Sequence, residues 1–417
     1  MLERLHIAMF TNVYLPTANG VVTSVRSFRQ GLLERGHSVY VLAPHATEPY
    51  GSDERFVFRY PAVELSRQRY PLTLPVSPFI DLLLPCLAPD VLHAHHPVML
   101  GRVAARKSRS LGVPLVFTYH TRYQEYSHYV KGVPDSLVKE ILESCLANFM
   151  RKCHHVIVPS ESIRDLLEVT YGISSRISVV PTGVDGGRFG QLDRVQARQR
   201  LGWHGEEVVV VSVGRLAREK NWELLLLSFA QAVEGAEVAR LVAIGGGEEQ
   251  ARLEALAAEL GIADRVAFTG ALPPESIPTY LSASDIFCFA SVTETQGLVT
   301  LEAMASGLPV VAVDASGTRD VLRDGREGFL TACEGEALAR GLRAMIGDAS
   351  LRRRFSGAAR QRSTRFDIAS QSGRLEEVYR TAIADYAAGY RAPSPGEEPR
   401  GLGKLLSYLQ KRPWGAP

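Results

Sequence analysis

The sequence predicts an α/β protein made of two doubly wound, parallel-sheet domains, and three observations carry that expectation. Short apolar runs alternate with helix-like stretches, as strands and crossover helices do in β-α-β units. The alternation restarts after Pro181-Thr182-Gly183 with Val208-Val209-Val210-Val211-Ser212-Val213, continuous and β-branched like a strand buried on both faces. The 417 residues also exceed what one small core needs, at roughly 150 residues per domain.

In the first half, residues 5–10 read as a strand, a Pro/Asn/Gly loop follows, and 21–35 read as a helix stopped at Gly36 before a strand at 39–42. Further strands are expected at 90–94, 115–119, 156–158 and 177–180. In the second half the strand at 208–213 leads to a helix at 222–233 and to strands at 240–244, 266–269, 286–289 and 310–313. Domains at 1–190 and 191–368 follow, then a helix over 369–392. A Pro/Gly-rich linker and a basic tail are expected at 393–417. Open α/β sheets bind ligands beyond the C-terminal ends of their strands, so the site is expected between the two domains.

Lysine plus arginine at 47 against aspartate plus glutamate at 45 leaves a charge of +2, which excludes nucleic-acid binding driven by net charge. Any anion site must be local. Cys86, Cys145, Cys153, Cys288 and Cys333 contain no CxxC pair, so a disulfide framework is not expected and a reducing, cytoplasmic setting is. The uncharged stretch 6–25 is broken by Pro16, Asn19 and Gly20, unlike a membrane span or a signal segment.

Arg215 and Lys220 follow the strand at 208–213 and stand beside a helix start, where a guanidinium and an ammonium could grip a diphosphate. The alternative is a solvated turn. Gly245-Gly246-Gly247 follows the next strand and is expected to open a helix at Glu248, letting backbone N–H groups approach a ligand. Neither this triplet nor the loop at 11–20 has the GxGxxG spacing of a nicotinamide-binding turn.

The most informative stretch runs from Ser291 to Pro309. Its polar residues and Gly297 make a loop, a helix starts near Gly297, and Gly307 with Pro309 stops it. The N–H groups of Gly297, Leu298 and Val299 would then face an anion. Glu294 in the loop and Glu302 in the helix suit the vicinal hydroxyls of a sugar, so a nucleotide sugar satisfies both features. His120 ends an apolar strand, where it could bond a sugar hydroxyl or serve structure alone. The cluster His93-Ala94-His95-His96 is expected to line a cleft rather than hold a metal, and the chain has no Asp-x-Asp pair, so no metal or other cofactor is expected.

With Glu294 and Glu302 as an E-x7-E pair, Gly214-Arg215…Lys220, Pro181-Thr182-Gly183-Val184-Asp185 and the Asn19-Gly20 loop, the chain resembles the retaining glycosyltransferases of family 4, which have the GT-B fold. The segments 293–299 and 119–129 most resemble the diacylglycerol α-glucosyltransferase branch. The resemblance implies that Arg215 and Lys220 bind the donor diphosphate, Glu302 the ribose and Glu294 the transferred sugar. The backbone of Gln296, Gly297, Leu298 and Val299 completes that pocket, with Gly245 and Gly20 as further donor contacts. It also implies that His120 touches the sugar, that His95, His96, Arg122, Tyr123 and Tyr126 lie toward the acceptor, and that the helix around 371–390 returns to the first domain.

The implied reaction moves a hexose, expected to be glucose from a UDP-sugar, to an acceptor hydroxyl with retention, by direct attack or by double displacement through Glu294. A nucleotide-sugar 2-epimerase, a non-catalytic sensor, and a transferase for soluble or polysaccharide acceptors are the competing readings. A membrane-lipid acceptor implies docking on an anionic bilayer at the inner face of the cell membrane. The segment 67–80 and the basic stretch Arg102, Arg106, Lys107 and Arg109 suit that interface. The alternative is that 72–84 fills the core.

Overall fold

The computed structural model describes residues 3–46, 54–63, 72–125, 134–203, 206–235 and 239–392, which form two α/β units. The first runs to Val180 and resumes at Gln371, and the second spans Pro181–Ser370.

The first unit contains β1 (His6–Phe10), β2 (Ser38–Pro44), β3 (Val57–Tyr60), β4 (Ala62–Val63), β5 (Leu72–Thr73), β6 (Val91–Ala94), β7 (Leu115–Thr118), β8 (His155–Val158) and β9 (Ile177–Val179). Seven of them form one parallel sheet in the order β3-β2-β1-β6-β7-β8-β9, while β4 and β5 pair antiparallel apart from it. Helices cover both faces, so β1, β6 and β7 are buried almost end to end, including the polar His93 of β6. Strand order reverses at β1 and β6, where Phe10 lies opposite Ala94. The helix Ile368–Ala387 buries Leu375, Val378, Tyr379 and Ala382 with Ile7, Met9 and Val91 on one sheet face. Its Glu376 pairs with Arg35 at 2.7 Å and Arg380 at 2.8 Å.

The second unit contains β10 (Val208–Val213), β11 (Ala239–Ile244), β12 (Val266–Gly270), β13 (Ile286–Phe289), β14 (Val310–Val313) and β15 (Gly328–Thr331), in the order β12-β11-β10-β13-β14-β15, all parallel. Its switch point falls between β10 and β13. Apolar layers fill both faces, one around Leu226, Phe229 and Leu342, the other around Phe287, Phe289 and Met304.

The boundary lies before the expected residue 190, because Val184 and Phe189 bury their side chains among Val209, Val211 and Phe287 of the second unit. Gly183 sets this junction: a Cβ there would stand 2.5 Å from the Ile368 Cα. The helix after the glycine triplet starts at Gln250 rather than Glu248, since the Glu249 N–H is drawn to the Leu216 carbonyl at 3.0 Å. The expected tail at 393–417 lies outside the described residues.

Candidate active site

The loops after β10 and β13 meet at the second unit's switch point, the edge where α/β sheets bind ligands. The β10 loop ends in a short 3-10 turn, Arg218–Lys220, and Asn221 in the left-handed region (φ 56°) opens the helix Trp222–Val233. Lys220 leaves this turn to form an ion pair with Glu294 of the β13 loop. Ser291 Oγ donates to the same Glu294 oxygen at 2.9 Å, three residues upstream in the same loop. Arg215 is held by the buried carboxylate of Glu219, four residues on, with Glu248 at 3.6 Å. Sequence reading missed Ser291 and Glu219; their spacings of three and four residues from Glu294 and Arg215 were the available signal.

The glycine triplet shapes these loops from behind. Gly245 donates its N–H to the Gly270 carbonyl at 3.0 Å, and a Cβ on it would stand 1.9 Å from the Gly214 carbonyl oxygen. Gly247 meets the Leu216 carbonyl in the same way, at 2.1 Å. The triplet therefore lets the two loops touch backbone to backbone, rather than offering the Gly245 N–H to a ligand.

Gly297 adopts φ 75° and caps the helix Leu298–Ala305 without any side-chain hydrogen bond and without an acidic residue in the first turn. A helix start so arranged presents its first N–H groups and positive dipole end to an anion. Gln296 turns its side chain the other way. Its Oε1 accepts from the Thr182 N–H at 2.8 Å and its Nε2 donates to the Thr182 carbonyl at 2.9 Å, so it clamps the Pro181-Thr182-Gly183 segment. From the other flank, Ser316 Oγ donates to the Glu294 carbonyl at 3.0 Å, and Gly317 (φ 77°) lies where a Cβ would be 2.7 Å from the Gln296 nitrogen. Glu302, eight residues beyond Glu294 and inside that helix, has its carboxyl pushed up to about 7 by burial, against the pull of the Arg188 guanidinium.

The first unit gathers its candidates at the corresponding edge of its own sheet. His95 and His96 follow β6, and His120 follows β7. His95 Nδ1 lies 2.9 Å from His120 Nε2, so the two rings meet edge to edge, with their centroids 5.2 Å apart. His96 Nδ1 accepts from the Asn12 N–H at 3.1 Å, and Asn12 Oδ1 accepts from the Leu100 N–H, which ties the loop after β1 to the loop after β6. Burial pushes His96 down to about 4, and burial with the neighbouring imidazoles holds His95 and His120 well below the ordinary histidine value. His93 corrects the expectation that the cluster lines a cleft: it is fully buried, with Nδ1 2.7 Å from the Tyr379 hydroxyl and Nε2 2.7 Å from Thr118 Oγ1. Arg122 donates to Glu125 at 2.7 Å, and Tyr123 packs on the core beside it. Tyr126 lies outside the described residues. Gly20 is the first residue of the helix Gly20–Glu34, capped by the Asn19 side chain, which accepts from the Val22 N–H at 3.0 Å.

Residues 18–188 match the model of Glycosyltransferase Family 4, and residues 193–362 match that of Glycosyl transferases group 1. An alpha-monoglucosyldiacylglycerol synthase of Streptococcus pneumoniae is 31% identical over 324 residues, covering 74% of this chain and 71% of its own length. The chain is a family 4 glycosyltransferase. The Acholeplasma laidlawii alpha-monoglucosyldiacylglycerol synthase is 28% identical, over 78% of this chain and 84% of its own. Among solved structures, Anabaena Alr3699/HepE in complex with UDP and glucose superposes with a TM-score of 0.72 at 20% identity, covering 91% of this chain and all of that one. That likeness shows the fold, and it agrees with the two parallel α/β sheets of a GT-B glycosyltransferase.

Proposed function

We propose that this glycosyltransferase moves glucose, with retention, from a UDP-sugar to the hydroxyl of a membrane lipid such as diacylglycerol. The observation that carries the donor half is the β10–β13 switch point, which holds Arg215, Lys220, Glu294 and an uncapped helix start at one sheet edge. Cations and backbone N–H groups match a diphosphate, and carboxylates match sugar hydroxyls. Glu302 takes the ribose hydroxyls and Glu294 the transferred hexose, with His120 as a further sugar contact from the first unit. The UDP and glucose of the Anabaena complex agree with this donor.

In the proposed reaction the acceptor oxygen attacks the anomeric carbon on the face that the diphosphate leaves, and a donor phosphate oxygen takes its proton. Arg215 and Lys220 offset the charge on the leaving diphosphate, so the chain needs no resident metal for that task. Its contribution is positioning and charge, not a strong base.

The lipid half draws on the two named synthases and on the surface of the first unit. In the helix Pro78–Cys86, Ile80 and Leu84 enter the core, while Phe79 is 65% and Leu82 77% exposed. Asp81 of that helix pairs at 2.7 Å with Lys107 of the helix Leu100–Leu111, whose Arg102, Arg106 and Arg109 are exposed. Apolar and basic groups side by side suit an anionic bilayer reached from the cytoplasmic side. Residues 67–71 of the expected membrane segment lie outside the described residues, and no described helix is long and apolar enough to cross a membrane.

Incubation with UDP-glucose, with and without diacylglycerol vesicles, followed by mass analysis and determination of the anomeric configuration, tests the reading. An α-glucosyl lipid is expected. An isomerised donor, or a glycosylated soluble sugar with no lipid product, would overturn it.

A further inference from the structure

We infer that His96 holds an oxygen of the acceptor as a hydrogen-bond donor through Nε2, its tautomer fixed by the backbone N–H of Asn12. This role rests on the lipid acceptor proposed above.

Asn12 and His96 each lie two residues beyond the end of a strand, β1 and β6, at the point where the first sheet reverses its order. Ligands of α/β sheets bind in the crevice at that point. The diphosphate and the hexose are assigned above chiefly to the corresponding loops of the second unit, which leaves the first unit's crevice for the acceptor. Within the cluster, His93 and His95 are fully buried, whereas His96 is half-buried and reaches the surface there.

Both ends of the Asn12 amide are engaged. Its Oδ1 accepts from the Leu100 N–H and its Nδ2 donates to the Val98 carbonyl, both at 3.1 Å. Turning the amide over would set donor against donor and acceptor against acceptor, so only this orientation serves. It also gives a partner to the first N–H of the helix Leu100–Leu111, whose own cap residue, Met99 at φ 49°, makes no side-chain bond.

From this fixed residue the backbone N–H of Asn12 donates to His96 Nδ1 at 3.1 Å. An N–H can only donate, so Nδ1 carries a lone pair and no proton. Burial pushes His96 down to about 4, so near neutral pH the ring is uncharged and its single proton lies on Nε2. Among the described residues Nε2 has no hydrogen-bond partner. With its lone pair already taken, His96 can donate to an acceptor oxygen and cannot serve as its base. That division agrees with a reaction in which a donor phosphate oxygen takes the proton.

The test is nitrogen-resolved NMR of the full chain labelled with 15N-histidine, with His96→Gln to assign the His96 signals. The wild type is expected to show a bare Nδ1 and a protonated Nε2 near neutral pH. UDP alone should leave the Nε2–H signal in place, and a short-chain diacylglycerol added with UDP should shift it. A proton on Nδ1 overturns the donor role, and a shift with UDP alone overturns the assignment to the acceptor. Lipid product in the transfer assay, with an Nε2–H signal that the lipid does not move, overturns the acceptor contact alone. Absence of lipid product overturns the proposed acceptor and the contact with it, while the tautomer is still read from the wild-type spectrum. In turnover, His96→Leu should raise the KM for diacylglycerol about 3- to 10-fold, the range of one hydrogen bond, with a smaller change in the KM for UDP-glucose. His96→Gln, whose amide reaches toward the position of Nε2, should recover most of that loss. Equal changes in both KM values would overturn the acceptor contact in favour of a role in holding the loop. Should His96→Leu fail to fold, the wild-type spectra still decide.

Discussion

Lys220 and Glu294 form an ion pair that joins the loops of the two strands where the second sheet reverses its order. The side chain proposed for the diphosphate is thus held by the side chain proposed for the sugar, and each sets the position of the other. Removing one leaves its partner charged and partly buried without its counter-ion. Lys220→Ala and Glu294→Ala should each lower transfer about 10²- to 10³-fold, by analogy with loss of a preorganised charge-stabilising group. The double variant should lose less than the product of the two, because the second deletion removes a group already mispositioned. Initial rates of the four proteins check this, and losses that simply multiply would contradict the coupling.

Gln296 has a structural task that can be separated from the chemistry. It satisfies both the N–H and the carbonyl of Thr182 from inside the second unit, with 4% of its surface exposed. Gln296→Ala should cost about 2 kcal/mol or more, since two buried backbone groups lose their partners. Chemical denaturation of the variant measures the loss, and an unchanged midpoint would show that water replaces the clamp.

The two residues of that clamp were not legible as a pair. Gln296 stands in a stretch whose strand-loop-helix order and carboxylate spacing announce a ligand site, but its partner is 114 positions away and no local pattern joins them. The central strands were readable because burial on both faces demands unbroken apolar runs, as in β10 and β13. The edge strands β3 and β15 escaped notice. Each is four residues long, and Arg59 and Gly328 interrupt their apolar patterns. His93 misled for the opposite reason: it is polar, yet it belongs to the core, satisfied by a hydroxyl from the C-terminal helix 286 positions on.

The ribose contact proposed for Glu302 makes nucleotide binding depend on pH. Its carboxyl is pushed up from 4.5 to about 7, mainly by burial, and ribose hydroxyls donate best to the ionised form. UDP affinity should therefore rise as pH rises through about 7 and level off above it, whereas Glu302→Gln should bind more weakly and without that dependence. Stability runs the other way. The native state holds the proton more tightly than the unfolded chain between 4.5 and about 7, so this group's stabilising contribution, complete below 4.5, is lost as pH rises through about 7. Glu302→Gln should remove that decline, at most about 3 kcal/mol. Calorimetric titration with UDP and melting curves across the same pH range measure both, and a wild-type affinity flat in pH would count against the ribose role.

The proposed membrane surface rests on two neighbouring helices with different contributions. Phe79 and Leu82 are too exposed to hold the core, which Ile80 and Leu84 already fill from the same helix. Arg102, Arg106 and Arg109 recur at intervals of four and three, so they share one face of their helix, and the Asp81–Lys107 pair brings that helix alongside the apolar one. Insertion of the apolar groups should persist in high salt, while attraction through the arginines should fade as the Debye length shrinks from about 8 Å at physiological ionic strength to about 3 Å at 1 M. Co-sedimentation with anionic vesicles should then show strong binding at low salt and a residual fraction at high salt. Phe79→Ser with Leu82→Ser should abolish the residual fraction and spare part of the low-salt binding, while replacing the three arginines with glutamine should do the reverse. Both variants should melt near the wild type, because the substituted side chains already face solvent. Equal vesicle binding by all three proteins would remove this surface from the proposed route to a lipid acceptor.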